Sequence, residues 1–117
     1  MSDLPFNPES SHELVPRPAV TVDALRAAVV RLDPAQTVVF DRELSEVNSP
    51  ASSDLPLRTF LTRWAVWVER YRVPATAARI RELEVAMGAA KTDEEARAVA
   101  IEMSELLHKV SADLPLP

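Results

Sequence analysis

His12 and His108 are the only imidazoles in the 117 residues, so any serine-type triad would need one of them as its base. Neither is placed for that work. His12 lies in a stretch rich in proline and serine, and neither residue has the HExxH or HxxxH spacing that sets two imidazoles on one metal ion. His108 and Lys109 suit instead the final turn of a C-terminal helix, where positive charge is favourable. Cysteine is absent, which removes thiolate nucleophiles, cysteine-ligated zinc and disulfides together and is compatible with a cytoplasmic home. With a single glycine, Gly88, neither a P-loop nor a GxGxxG loop can be written. Acid pairs such as Glu82 with Glu84, or Glu102 with Glu105, have the spacing of solvated helix faces. No catalytic, metal-ligating or cofactor-binding residue emerges, and the chain reads as a non-enzyme.

The residues with a recognisable chemistry are cations. Arg58, Arg63, Arg70, Arg72, Arg79 and Arg81 crowd residues 58–81 against one acid, Glu69, whereas the whole chain carries a net charge of -5. Acids outnumber bases on both flanks, including Glu82, Glu84, Asp93, Glu94 and Glu95 on the C-terminal side. Arginine is a usual phosphate partner, so one reading is a nucleic-acid-binding regulator with a helix-turn-helix drawn around Pro74. Against it, the turn lacks glycine, asparagine and glutamine are missing nearby to read base edges, and the acidic flanks repel a duplex. The competing reading pairs the arginines with Glu82, Glu84, Glu94, Glu102 and Glu105, across the fold or across a dimer.

Positioning these arginines falls to a helix at 57–71, LRTFLTRWAVWVERY, which holds both tryptophans and the only tyrosine. At about 100° per residue, Leu57, Phe60, Leu61, Trp64, Val68 and Tyr71 share one face with Trp67 on its shoulder. Arg58, Thr59, Thr62, Arg63, Glu69 and Arg70 turn the other way, interrupted by Val66. Upstream, Thr21 or Asp23 caps a helix with an apolar face of Val22, Leu25, Val29 and Leu32. Asp33 and Gln36 have capping-box spacing around Pro34, opening a second helix on which Thr37, Phe40, Leu44 and Val47 align. Val38 and Val39 fit that helix less well, and 37–40 would also suit a short strand. Residues 48–54 are connector, from which Ser53 or Asp54 caps the aromatic helix.

Pro74 either breaks the chain into a fourth helix or kinks one long helix, because proline removes a hydrogen bond and clashes with the preceding turn, and the break is the preferred reading. Thr76, Ile80, Leu83, Met87 and Ala90 then form a narrow stripe, and Gly88 is placed to end the helix in a left-handed cap. Thr92-Asp93-Glu94-Glu95 is a capping box for a last helix whose stripe is Ala96, Val99, Met103, Leu106 and Val110. The short link between these two helices implies an antiparallel hairpin. The expected fold is therefore all-α: a compact bundle of four to five helices over 21–112, after a disordered proline-rich arm at 1–20 and before a short tail at 113–117. No apolar run approaches the roughly 18 residues that span a bilayer, and the N-terminus lacks the basic and apolar regions of a secretory signal.

Apolar side chain is in surplus. Val66, Trp67, Met87, Met103 and the alanine-rich faces of the last two helices exceed what a hairpin hides by itself, which marks an oligomer or partner groove unless the first two helices cover it. Leu32-Asp33-Pro34, Phe40-Asp41-Arg42-Glu43-Leu44, Leu57 to Trp64 and the proline-led Pro74 to Leu83 follow in an order that resembles a family of small uncharacterised actinobacterial helical proteins. The arginine- and alanine-rich, lysine-poor usage is similar to that of a high-GC actinobacterium. That resemblance spans residues 22–84, implies a helical fold, and suggests an antitoxin-like role beside a small toxin, with no catalytic residue to transfer. The sequence thus points to a protein–protein interaction module, an antitoxin-like or regulatory adaptor, with another protein or a second copy as partner. Arg58, Arg63, Val66, Trp67, Arg70, Arg79, Met87 and Met103 are its candidate contact residues.

Overall fold

The computed structural model describes residues 14–49 and 56–116, and among them the chain is entirely helical apart from its connections. Five helices follow in order: α1 (Val22–Leu32), α2 (Gln36–Asn48), α3 (Leu57–Tyr71), α4 (Pro74–Ala89) and α5 (Asp93–Ser111). This is the all-α bundle that the apolar periodicities imply, and the strand considered at 37–40 is part of α2.

Local chemistry sets the helix ends. Thr21 caps α1 by accepting from the Ala24 amide at 3.2 Å. The box expected between Asp33 and Gln36 is replaced by a tighter device. The Asp33 carboxylate takes the Ala35 amide at 3.2 Å, the Gln36 amide reaches the Asp33 carbonyl at 2.9 Å, and α2 starts after a Pro34–Ala35 turn. Ser53 and Asp54 lie outside the described residues, and the position before α3 is Pro56, which gives no side-chain cap. At the other end of α3, Arg72 closes the helix, Val73 is extended, and Pro74 opens α4 at its first turn. The break expected there is present. Gly88 does not terminate α4: the helix runs through it to Ala89, and no glycine adopts a positive φ. Thr92 caps α5 by accepting from the Glu95 amide at 3.0 Å, while the Glu95 carboxylate reaches back to the Lys91 amide at 3.0 Å.

The core lies where α1, α2 and α3 meet. Leu25, Val29, Phe40, Phe60, Trp64 and Val68 are its fully enclosed side chains. Phe40 meets Phe60 and Trp64 edge-on, with centroids 4.9 and 5.1 Å apart, a geometry that adds about 0.5–1.5 kcal/mol per pair beyond area burial. Leu57, expected on this face, is the first residue of α3 and is 46% exposed.

Residues 14–20 correct the expected arm boundary. The Leu14 amide donates to the Arg72 carbonyl at 2.7 Å, satisfying one of the carbonyls left open where α3 ends, and Val15 is buried in the core. Arg17 grips Glu69 through two hydrogen bonds of 3.1 and 2.8 Å. Leu4 and Phe6 of the expected arm lie outside the described residues.

α3 is the shared element. It packs on α1, α2, α4 and α5, and α4 packs on α5 as the antiparallel hairpin expected from their short link, but α1 and α2 do not reach either hairpin helix. The idea that the first two helices cover the hairpin is thereby overturned.

Candidate partner-binding surface

Helix geometry distributes the candidate residues over two regions. Arg63, Val66, Trp67 and Arg70 share one side of α3, Arg79 and Met87 sit on α4, and Met103 sits on α5. Arg58 stands apart in the exposed first turn of α3. No single patch contains all eight.

On α3, each arginine has a different fate. Arg63 is exposed, yet its guanidinium lies 2.6 Å from a Glu43 carboxylate oxygen and 5.7 Å from the centre of the Trp64 ring. Glu43 is only 8% exposed and also accepts from the Trp64 indole N–H at 3.0 Å, so the two donors satisfy a carboxylate that burial would otherwise penalise. Arg70 is half-buried, and its Nε has no hydrogen-bond partner. Val66 is half-buried. Trp67 continues a chain of rings from Trp64 (5.5 Å) to Tyr71 (5.1 Å).

Trp67 and Tyr71 also wall a cavity of about 420 Å³ between the α1–α2 corner and the α3–α4 elbow. Leu14, Leu32, Pro74 and Ala77 make its apolar surfaces; Asp33, Gln36 and Arg81 supply polar groups. It holds no nucleophile with a base beside it. Among the described residues no cluster of His, Cys, Asp or Glu could hold a metal ion.

Sequence reasoning placed Glu69 among the outward residues of the aromatic helix, and the structure buries it. It takes the Arg72 guanidinium at 2.8 and 3.1 Å in addition to Arg17, so one carboxylate ties the segment before α1 to the end of α3. Burial opposes its ionisation, but the hydrogen bonds from Arg17 and Arg72 outweigh that and hold the carboxyl below its ordinary value. An Arg three residues after a Glu is a visible signal for the local pair. Nothing in the spacing points to Arg17, 52 positions away.

On the hairpin, Arg79 bridges Glu82 of α4 and Glu102 of α5. Internal pairing therefore claims Arg63, Arg72 and Arg79, while Arg58, Arg70 and Arg81 have no ion pair among the described residues. Ile80 and Leu83 are buried in the seam, but Met87 is 39% exposed and no residue of α5 is buried. Val85 and Ile101 are exposed on the flanks. No described helix is long and apolar enough to cross a membrane. No protein-family model, characterised protein or solved structure matches the chain.

Proposed function

We propose that the chain is a non-enzymatic protein–protein interaction module and that its contact element is the α4–α5 hairpin. One observation carries the reading. The hairpin leaves Val85, Met87 and Ile101 exposed, and the α5 stripe of Val99, Met103, Leu106 and Val110 only half-buried, because only α3 and α4 cover α5. A stripe of that length costs solubility unless something else covers it, and a helix face laid into an apolar groove is a common means. The sharper version is an antitoxin-like or regulatory adaptor acting in the cytoplasm. A small toxin-like reading frame beside the gene would supply the first partner to test.

The nucleic-acid reading is weakened by the arrangement of cations. Three of the six arginines neutralise internal carboxylates, and two of the remaining three, Arg58 and Arg70, lie about 18 Å apart along α3 on different sides. Retention on a duplex column at low salt, abolished by replacing Arg58 and Arg81, would restore it.

The direct test is affinity capture with the wild-type chain and with V85K/M87K, which alters two exposed positions. The expected result is a protein retained by the first and lost by the second, with unchanged circular dichroism. Equal retention by both chains, or none by either, counts against the proposal.

A further inference from the structure

The cavity beside Trp67 and Tyr71 lies apart from the exposed side chains of the hairpin and has a chemistry of its own. Three separate parts of the chain wall it. Trp67 and Tyr71 stand one turn apart on α3, Ala77 and Arg81 follow Pro74 along one side of α4, and Asp33 and Gln36 come from the corner between α1 and α2. Both rings are only half-buried, with centroids 5.1 Å apart and planes tilted by 50°, so aromatic surface stays open there. A space of about 420 Å³ with apolar walls and a few polar groups falls in the size range of small-molecule sites, roughly 300–1,000 Å³.

The charges of the cavity do not neutralise each other. Arg81 is the one cation among the described lining residues, and it makes no hydrogen bond or ion pair with any described residue, although Asp33 lines the same space. The Asp33 carboxylate is engaged through one oxygen, which takes the Ala35 amide at 3.2 Å. The Gln36 amide group and the Tyr71 hydroxyl have no hydrogen-bond partner among the described residues. An arginine and an aspartate that share a cavity without meeting suit a molecule with an acceptor at one end and a donor at the other. A guanidinium holds a carboxylate through two parallel N–H donors, and Asp33 with Gln36 can accept from an amine or a hydroxyl. Two rings at this tilt suit a flat body that stacks on one and meets the other edge-on.

We infer that this cavity is a binding site for a small aromatic carboxylate with a hydrogen-bond donor at its far end. Arg81 takes the carboxylate, Trp67 and Tyr71 hold the ring system, and Asp33 and Gln36 accept from the donor. An aliphatic acid would leave the rings uncovered, and an organic cation would be repelled by Arg81.

The probe is 6-amino-2-naphthoate, titrated into the full chain by calorimetry and followed on the two indole N–H signals by nuclear magnetic resonance. Saturable binding is expected, with the Trp67 signal moving more than that of Trp64, whose N–H is held by buried Glu43. The neutral 6-amino-2-naphthamide should bind about tenfold more weakly, because it lacks the charge-assisted pair with Arg81. 2-Naphthoate, without the donor, should also bind more weakly than the amino compound. Arg81 is exposed, so Arg81→Gln keeps the fold; it should weaken the carboxylate by about tenfold and leave the amide unchanged. Arg58→Gln, which removes an exposed arginine outside the cavity, should bind like wild type. The inference is overturned if nothing saturates up to millimolar probe, or if the carboxylate binds no better than the amide or than 2-naphthoate. It is overturned equally if Arg81→Gln binds like wild type, or if Arg58→Gln weakens binding as much as Arg81→Gln, since attraction to the general charge of the surface would then account for it.

Discussion

The two sides of α3 carry apolar stripes of similar period and bury them to different depths. On one side α1, α2 and α3 each touch the other two and enclose Leu25, Val29, Phe40, Phe60, Trp64 and Val68 completely. On the other, α4 buries Ala77, Ile80 and Leu83, all in its first ten residues, and α5 buries nothing. A helical period identifies which face turns inward. How far that face leaves water depends on how many neighbours close around it, and the hairpin has only α3. The contrast separates a part built for stability from a part with apolar surface to spare.

The largest expected effect breaks this contrast or secures it. Trp64→Ala should cost about 3–5 kcal/mol, because it removes the central ring, its edge contact with Phe40 and the indole donor to buried Glu43. Met103→Ala, half-exposed on α5, should cost about 1 kcal/mol or less, since only part of its side chain leaves water. Urea unfolding of both variants measures the difference. A Trp64→Ala loss below about 1 kcal/mol would place Trp64 at the surface, and equal losses would mean that the two halves are buried alike.

Next in size is the latch between residue 17 and the end of α3. Glu69→Gln should cost about 2–3 kcal/mol at neutral pH, less than a fully enclosed pair because about a third of the Arg17 side chain remains in water. The pH dependence has a definite sign. The folded-state carboxyl is held below its ordinary value, so the unfolded chain takes up the proton more readily. The stabilisation is whole at neutral pH and shrinks as pH falls through the ordinary glutamate value of about 4.3 and below. Unfolding measured between pH 7 and pH 3 should fall more steeply for wild type than for Glu69→Gln. Parallel slopes would show that Glu69 does not hold the latch.

Much of this was legible in the sequence, for reasons that differ between elements. Helix number, the break at Pro74 and the cap at Thr92 rest on local rules, and each of those rules acts within a few residues. The aromatic core was legible because Phe60, Trp64 and Val68 leave α3 on one side. The latch was not, since Arg17 meets Glu69 across 52 positions of sequence, and Glu43 gave no sign that an indole and an arginine would satisfy it in the core. Of the candidate contact residues, the structure separates those on α3 from those on the hairpin, and it binds Arg63 and Arg79 into ion pairs that the sequence allowed without choosing among acids. Val85 was overlooked because it lies off the seam stripe, and off-stripe positions attract attention only once their exposure is known.

The smallest effect tests the hairpin from within. Gly88 lies in the last turn of a helix that continues through it, so it bears part of glycine's backbone entropy cost without using its freedom. Gly88→Ala in dilute solution should stabilise the fold by about 0.5 kcal/mol, half of the interior difference because the site is near the helix end. For a domain of this size that is about 2–4 °C in thermal midpoint. A loss instead of a gain would mean that α4 ends before residue 88 and that the hairpin is shorter than its seam requires.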